Sequence, residues 1–214
     1  MKNKKLEKIK AVGFDVDGTL YHAPMEMGIE VGKILVNKAA EALGREPDEL
    51  AGEYLERREV YRSSTKTLNS FGLPGEEIFR AVWSQIPLEK YVKPDKKLAR
   101  MMKELKRKYR LFIVSNNRKI EIERKLACLG VDQTLFDPIV SCYDQGWVKP
   151  EPAPFLASIE SLNLKPEEIV YVGDRLDIDI EGARGVGMKT ILVGSTSDLA
   201  DACCETVYDV GLLL

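Results

Sequence analysis

Arg110–Ser115 reads "RLFIVS", with four apolar residues side by side and no polar residue between them. A strand with one wet face alternates apolar and polar positions, whereas a continuous run marks a strand covered on both faces. The same kind of run recurs at Lys10–Asp15, Pro138–Ser141, Glu168–Val172 and Lys189–Val193. Between the runs lie helical patterns. Asp95–Tyr109 carries Leu98, Met101, Met102 and Leu105 on one face, and Asp95 follows Pro94 as an N-cap. Ile122, Leu126 and Leu129 mark a second helix, which Gly130 stops. Phe155, Leu156, Ile159 and Leu162 mark a third, and Ile180 and Ala183 a shorter fourth. Strands alternating with helices build a parallel sheet through right-handed crossovers. The predicted fold is α/β, a doubly wound parallel sheet with a Rossmann-like core.

Pro24–Pro87 breaks the alternation. It contains no convincing strand, and Val31/Leu35/Ala39/Leu43 and Ile78/Phe79/Val82/Trp83 have helical spacing. The region of Leu50, Tyr54 and Leu55 reads the same way. The pattern predicts a small α-helical cap inserted straight after the first strand, through linkers near Tyr21–Met25 and Leu88–Pro94. The expected division is residues 1–22 and 93–214 for the core and 23–92 for the cap.

The ends of the strands carry the chemistry. In an open parallel sheet, ligands bind beyond the carboxyl ends of the strands. The first strand ends at Asp15, with Asp17 just beyond, and the second ends at Ser115, followed by Asn116 and Asn117. After the third comes "GWVKPEP" with Lys149, and the fourth runs into "GDRLDID" with Asp174, Asp177 and Asp179. Several carboxylates in one crevice are tolerated when a hard cation neutralises them, and Mg²⁺ prefers oxygen ligands. A phosphate then needs donors: the Ser115 hydroxyl, the Lys149 ammonium, and N–H groups at helix starts and tight turns such as the one Gly18 permits. Together these residues specify phosphoryl transfer, where positioning and charge neutralisation carry most of the catalysis. Asp15 and Asp17, with one residue between them, are expected to address the reaction centre from different directions.

Four motifs in order make the chain similar to the haloacid dehalogenase superfamily of phosphohydrolases over essentially its full length. They are "DVDGTL" (Asp15–Leu20), the serine of "IVSNN" (Ser115), the lysine of "GWVKPEP" (Lys149), and "VGDRLDIDIEGA" with Asp174 and Asp179. The resemblance implies a catalytic set of Asp15, Asp17 and Lys149. Asp15 is the nucleophile that forms an aspartyl-phosphate. Asp17 protonates the leaving alcohol and then activates water, and Lys149 stabilises charge. It implies that Thr19 fixes the loop and joins Ser115, Asn116 and Lys149 in the substrate-binding set. It implies Mg²⁺ held by Asp15, Asp17 (through its backbone carbonyl), Asp174 and Asp179, the last supporting the metal shell or orienting Lys149. Superfamily dehalogenases lack the second aspartate, so Asp17 favours a phosphatase or a phosphomutase. "FDVDGTLY", Tyr61 with Thr67-Leu68, and "IPLEKYVKPDKKL" (Ile86–Leu98) resemble the branch of pyrimidine 5′-nucleotidase-like phosphatases, although the second motif reads Ser-Asn-Asn where that branch has Thr-Asn. The expected substrate is a small phosphorylated metabolite, either a nucleotide monophosphate or a sugar phosphate or phosphoglycolate. The rival readings are a phosphomutase and a non-catalytic binding module that kept the fold.

Charge and cysteines narrow the setting. A net charge of -2 and a pI of about 5.7 argue against a nucleic-acid-binding face. Lys93–Lys125 holds 13 basic and 4 acidic residues, which reads as the solvated side of a basic helix. No segment reaches the ~18 consecutive apolar residues of a membrane span, and the basic start "MKNKKLEKIK" does not continue as a signal peptide. Cys128, Cys142, Cys203 and Cys204 form no CxxC, and His22 is the one histidine, so zinc and a disulfide framework are not expected. The expected setting is a reducing cytoplasm, and the expected assembly a monomer or homodimer. Asp177 reads as an N-cap, His22 as a linker residue, and Arg57, Arg58, Arg62 and Lys66 as a charged helical face or a phosphate-binding group.

Overall fold

The structure is a computed structural model that describes residues 4–22, 24–61 and 63–214; Arg62 lies outside the described residues. Two compact units result: Met1–Ala23 with Leu88–Leu214, and Pro24–Pro87.

The first unit is a six-stranded, all-parallel sheet. Its strands are β1 (Ala11–Phe14), β2 (Arg110–Ser115), β3 (Phe136–Ser141), β4 (Ile169–Gly173), β5 (Lys189–Val193) and β6 (Ala202–Cys204), in the spatial order β3-β2-β1-β4-β5-β6. Successive residues leave a strand on opposite faces. Val12, Phe14, Leu111, Ile113, Val170 and Val172 enter one core cluster, and Ala11, Phe112, Val114, Ile169 and Tyr171 enter another on the opposite face. Both faces are therefore dry, which explains the continuous apolar runs.

The helices, numbered along the whole chain, are α1 (Met25–Leu43), α2 (Pro47–Tyr61), α3 (Ser64–Ser70), α4 (Gly75–Gln85), α5 (Leu88–Tyr91), α6 (Lys96–Lys106), α7 (Lys119–Leu129), α8 (Pro152–Leu162), α9 (Glu181–Gly185) and α10 (Val210–Leu213). Leu98, Met102 and Leu105 of α6 and Ile122, Leu126 and Leu129 of α7 fill the first core cluster. Phe155 and Leu162 of α8 fill the second. Asp95 caps α6 by accepting from the Leu98 N–H at 2.8 Å. Gly130, at φ 71°, ends α7 in the left-handed conformation that glycine tolerates.

Two features depart from the sequence expectation. β6 was not expected, because "ACC" carries too few apolar residues to stand out. It forms by adding a second backbone ladder beside β5, with Ile191–Val193 opposite Ala202–Cys204. The core also resumes at Leu88 rather than at residue 93. Tyr91 and Val92 pack into the first core cluster, so apolar burial assigns this short stretch to the core. β3 is an edge strand, where Pro138 removes no ladder bond that a neighbour needs.

The unit Pro24–Pro87 holds α1 to α4. Leu35, Ala39, Leu50, Tyr54, Leu68 and Val82 are buried. Arg57 accounts for itself within this unit: its guanidinium lies 3.9 Å from the Phe71 ring centroid, donates to the Ser70 carbonyl at 2.6 Å, and pairs with Glu53.

Candidate active site

The strand order reverses direction between β1 and β4, and such a switch point opens a crevice at the carboxyl edge. Asp15 follows β1 there. Its N–H donates to the Val172 carbonyl of β4 at 3.0 Å, which fixes the nucleophile candidate against the neighbouring strand end. Asp174 follows β4. Asp179 comes from the next turn, Leu176–Ile180, which is wound as a π-helix.

Lys149 is buried, and its ammonium donates to Asp15 Oδ1 at 2.8 Å, Asp179 Oδ1 at 2.6 Å and Tyr171 Oη at 3.0 Å. All three N–H directions of the ammonium are thus engaged. Burial works against the charge, but Asp15, Tyr171 and Asp179 outweigh it and hold Lys149 protonated well above the ordinary lysine range. The Tyr171 hydroxyl in turn donates a hydrogen bond to the Val114 carbonyl at 2.6 Å. Asn116 is turned toward the Lys149 backbone, accepting its N–H at 2.8 Å, so it shapes the loop that delivers the lysine.

One carboxylate oxygen from each of Asp15, Asp174 and Asp179 lies within 4.8 Å of the others. Burial pushes the Asp15 carboxyl up to about 7; Lys149 pulls it down, while Asp179 and Asp17 add to the rise. Burial, then Asp179, also pushes Asp174 up. Lys149 alone therefore does not balance the negative charge gathered here. A largely buried, oxygen-only donor set with surplus negative charge fits a hard divalent cation such as Mg²⁺. The Thr19 hydroxyl donates to Asp174 Oδ1 at 3.0 Å, so Thr19 holds an acid in place. Gly18 is required beside it. Its φ is 87°, and a Cβ there would lie 2.3 Å from Asp174 Oδ2.

The Asp17 carboxylate is not part of that trio. It faces the other way, accepting from Lys125 Nζ at 2.8 Å (Oδ1) and 2.7 Å (Oδ2), from the Tyr21 hydroxyl, and from the Asn117 amide. Burial alone raises the Asp17 pKa, but Lys125, Tyr21 and Asn117 outweigh it and leave the carboxyl below its ordinary value. The Ser115 hydroxyl oxygen accepts from the Asn117 N–H at 3.3 Å and its amide at 2.8 Å.

Lys125, Tyr21 and Tyr171 were not picked out from the sequence. Lys125 ended the run read as a solvated basic side, yet its side chain is 1% exposed. Its position supplied a signal: it falls in the inward stripe with Ile122, Leu126 and Leu129, where an apolar residue belongs. Tyr171 gave none, since an aromatic in a buried strand reads as core.

A pocket of about 410 Å³ opens beside these groups, lined by Asp17, Gly18, His22, Asp174, Val193, Gly194 and Ser195. His22 is therefore at the pocket and not merely in a linker. Asp177 is exposed and pairs loosely with Arg175 at 3.5 Å, capping nothing.

A family model described as haloacid dehalogenase-like hydrolase matches residues 9–187. A glyceraldehyde 3-phosphate phosphatase of Methanopyrus kandleri is 30% identical over 204 residues, covering 86% of this chain and 84% of that one. A phosphoglycolate phosphatase of Aquifex aeolicus is 30% identical over 185 residues, with 86% and 84% covered. Among solved structures, a haloacid dehalogenase-type phosphatase from Thermococcus onnurineus matches with a TM-score of 0.71 and 27% identity, over 96% of this chain and 97% of that one.

Proposed function

This chain belongs to the haloacid dehalogenase-like hydrolase family, and from that premise we propose that it is a Mg²⁺-dependent phosphatase acting on small organic phosphate monoesters through an aspartyl-phosphate. The supporting observation is the buried Asp15–Lys149–Asp179 chain at the β1/β4 switch point, with Asp174 beside it.

Asp15 attacks phosphorus, and the ester bond to the leaving alcohol breaks. Lys149, already on Asp15 Oδ1, balances the charge shared between carboxylate and phosphoryl group. The Ser115 oxygen accepts from Asn117, which leaves its hydroxyl proton for a phosphoryl oxygen. Asp17 takes a proton from the water that hydrolyses the aspartyl-phosphate, and the proton gained there is the one it gives to the leaving oxygen of the next turnover. Asp15, the Asp17 carbonyl, Asp174 and Asp179 are the residues that would hold Mg²⁺. When bound, the ion neutralises carboxylate and phosphate charge.

A small aliphatic phosphate fits better than a nucleotide. The pocket lining holds no Phe, Tyr or Trp, His22 being its one ring, and the two curated relatives compared above are named for three-carbon and two-carbon phosphates. Phosphate release should be measured for glyceraldehyde 3-phosphate, phosphoglycolate, sugar phosphates, nucleoside monophosphates and p-nitrophenyl phosphate, with Mg²⁺ and with chelator. The reading predicts Mg²⁺-dependent release, with the small aliphatic esters ahead of the nucleotides. Nucleotides in front would restore the nucleotidase reading, and no release from any ester would overturn the phosphatase.

A further inference from the structure

We propose that Lys125, with Tyr21 and Asn117, is a clamp that positions the Asp17 carboxylate for proton transfer. The inference rests on the phosphatase reading above and concerns residues outside its four motifs. The lysine emerges from the apolar side of α7, one residue before Leu126 and three after Ile122, both fully buried. A charged group in such a stripe is costly unless a partner compensates it. The partner is Asp17: the ammonium bridges both carboxylate oxygens at 2.8 and 2.7 Å and also donates to Asn117 Oδ1 at 3.1 Å.

The remaining contacts converge on the same carboxylate. Tyr21 reaches Oδ1 and Asn117 reaches Oδ2, so each oxygen meets the shared lysine and one further donor. Tyr21 is itself held by the turn, since the Gly18 N–H donates to its carbonyl at 3.0 Å. Asn117 is tied through its carbonyl to the Ser141 hydroxyl at 2.7 Å. Rotation of the Asp17 side chain would break contacts on two sides at once. The carboxylate nevertheless keeps 30% of its side-chain surface exposed and borders the pocket. It is fixed from behind and open in front, which is what a proton-transferring group needs. Misplacing such a group by about 1 Å can cost roughly 100-fold in rate.

The test is leaving-group dependence, which a merely structural role would not change. Lys125→Met and Lys125→Gln should be compared with wild type on an alkyl phosphate and on p-nitrophenyl phosphate, whose leaving group needs little protonation. The clamp predicts that Lys125→Met lowers kcat/KM for the alkyl ester at least about tenfold and for the aryl ester less than about threefold, with Lys125→Gln between. Asp17→Asn should show the same skew, and adding Lys125→Met to it should change neither substrate further. Tyr21→Phe removes a donor without stranding a buried lysine, so it should fold and show the same skew more weakly. Equal losses on both esters, or losses that persist undiminished beside Asp17→Asn, would overturn the clamp while leaving the phosphatase intact. If the lysine variants do not fold, an unskewed Tyr21→Phe overturns it. A wild-type protein that releases no phosphate removes the phosphatase reading and the clamp together.

Discussion

Each aspartate of the "DVD" pair has its own buried lysine. Asp15 turns to Lys149 from the loop beyond β3, and Asp17 turns to Lys125 of α7. Two carboxylates so close are tolerated because each meets a separate cation. Removing one partner of such a pair strands the other. Lys125→Met should lower unfolding free energy by about 3 kcal/mol, and Asp17→Asn in the same chain should recover part of that loss; urea unfolding of the two variants checks it. Gly18→Ala should cost at least about 1 kcal/mol, because alanine is strained at φ 87° and its Cβ would strike Asp174. The displaced Asp174 should also weaken Mg²⁺ binding, measured as a smaller Mg²⁺-induced rise in Tm than wild type shows. The residues of the Asp15 side were legible in the sequence, since the acids, Ser115 and Lys149 all follow strand ends. Lys125 was not, because counting charges along a run ignores which helical face a charge falls on.

Among the elements, α6 shows how much one cap contributes. Asp95 accepts from the Leu98 N–H and from the Tyr208 hydroxyl. Burial raises its pKa, but those two bonds together with the Lys97 N–H and charge outweigh burial and leave the carboxyl below its ordinary value. A depressed folded pKa stabilises the fold above the unfolded value of about 3.9, and that stability is lost as pH falls through the folded pKa. Asp95→Ala should therefore cost about 1 kcal/mol at neutral pH, and the penalty should shrink in acid below the carboxylate range. Unfolding curves of wild type and variant at neutral and acid pH give the comparison; a penalty that grows in acid contradicts the assignment. The N-cap at Asp95 and the stop at Gly130 were readable because both are local backbone effects. β6 was not, because three residues become a strand only when β5 lies alongside.

In the molecule as a whole, the strand order sets where chemistry gathers. β1 is flanked by β2 and β4, so Asp15 lies between the strand ends that carry Ser115 and Asp174. The parallel sheet followed from uninterrupted apolar runs, a consequence of burial on both faces. The boundary at Leu88 did not, because Tyr91 and Val92 declare their allegiance only through the core they enter. If Asp15, Asp174 and Asp179 hold Mg²⁺ as proposed, the fold itself should respond to the metal. Mg²⁺ at a hundredfold excess over its dissociation constant should add about 2.7 kcal/mol of stability and so raise Tm, and Asp174→Asn should abolish the rise. The central claim is that Asp15 is the group that attacks phosphorus. Phosphate release by Asp15→Asn, measured with Mg²⁺ on the best wild-type substrate, tests it most directly. The account predicts a rate below ~10⁻³ of wild type in a protein that still folds, because the attacking carboxylate is gone. Turnover within about tenfold of wild type would mean that another group carries the reaction.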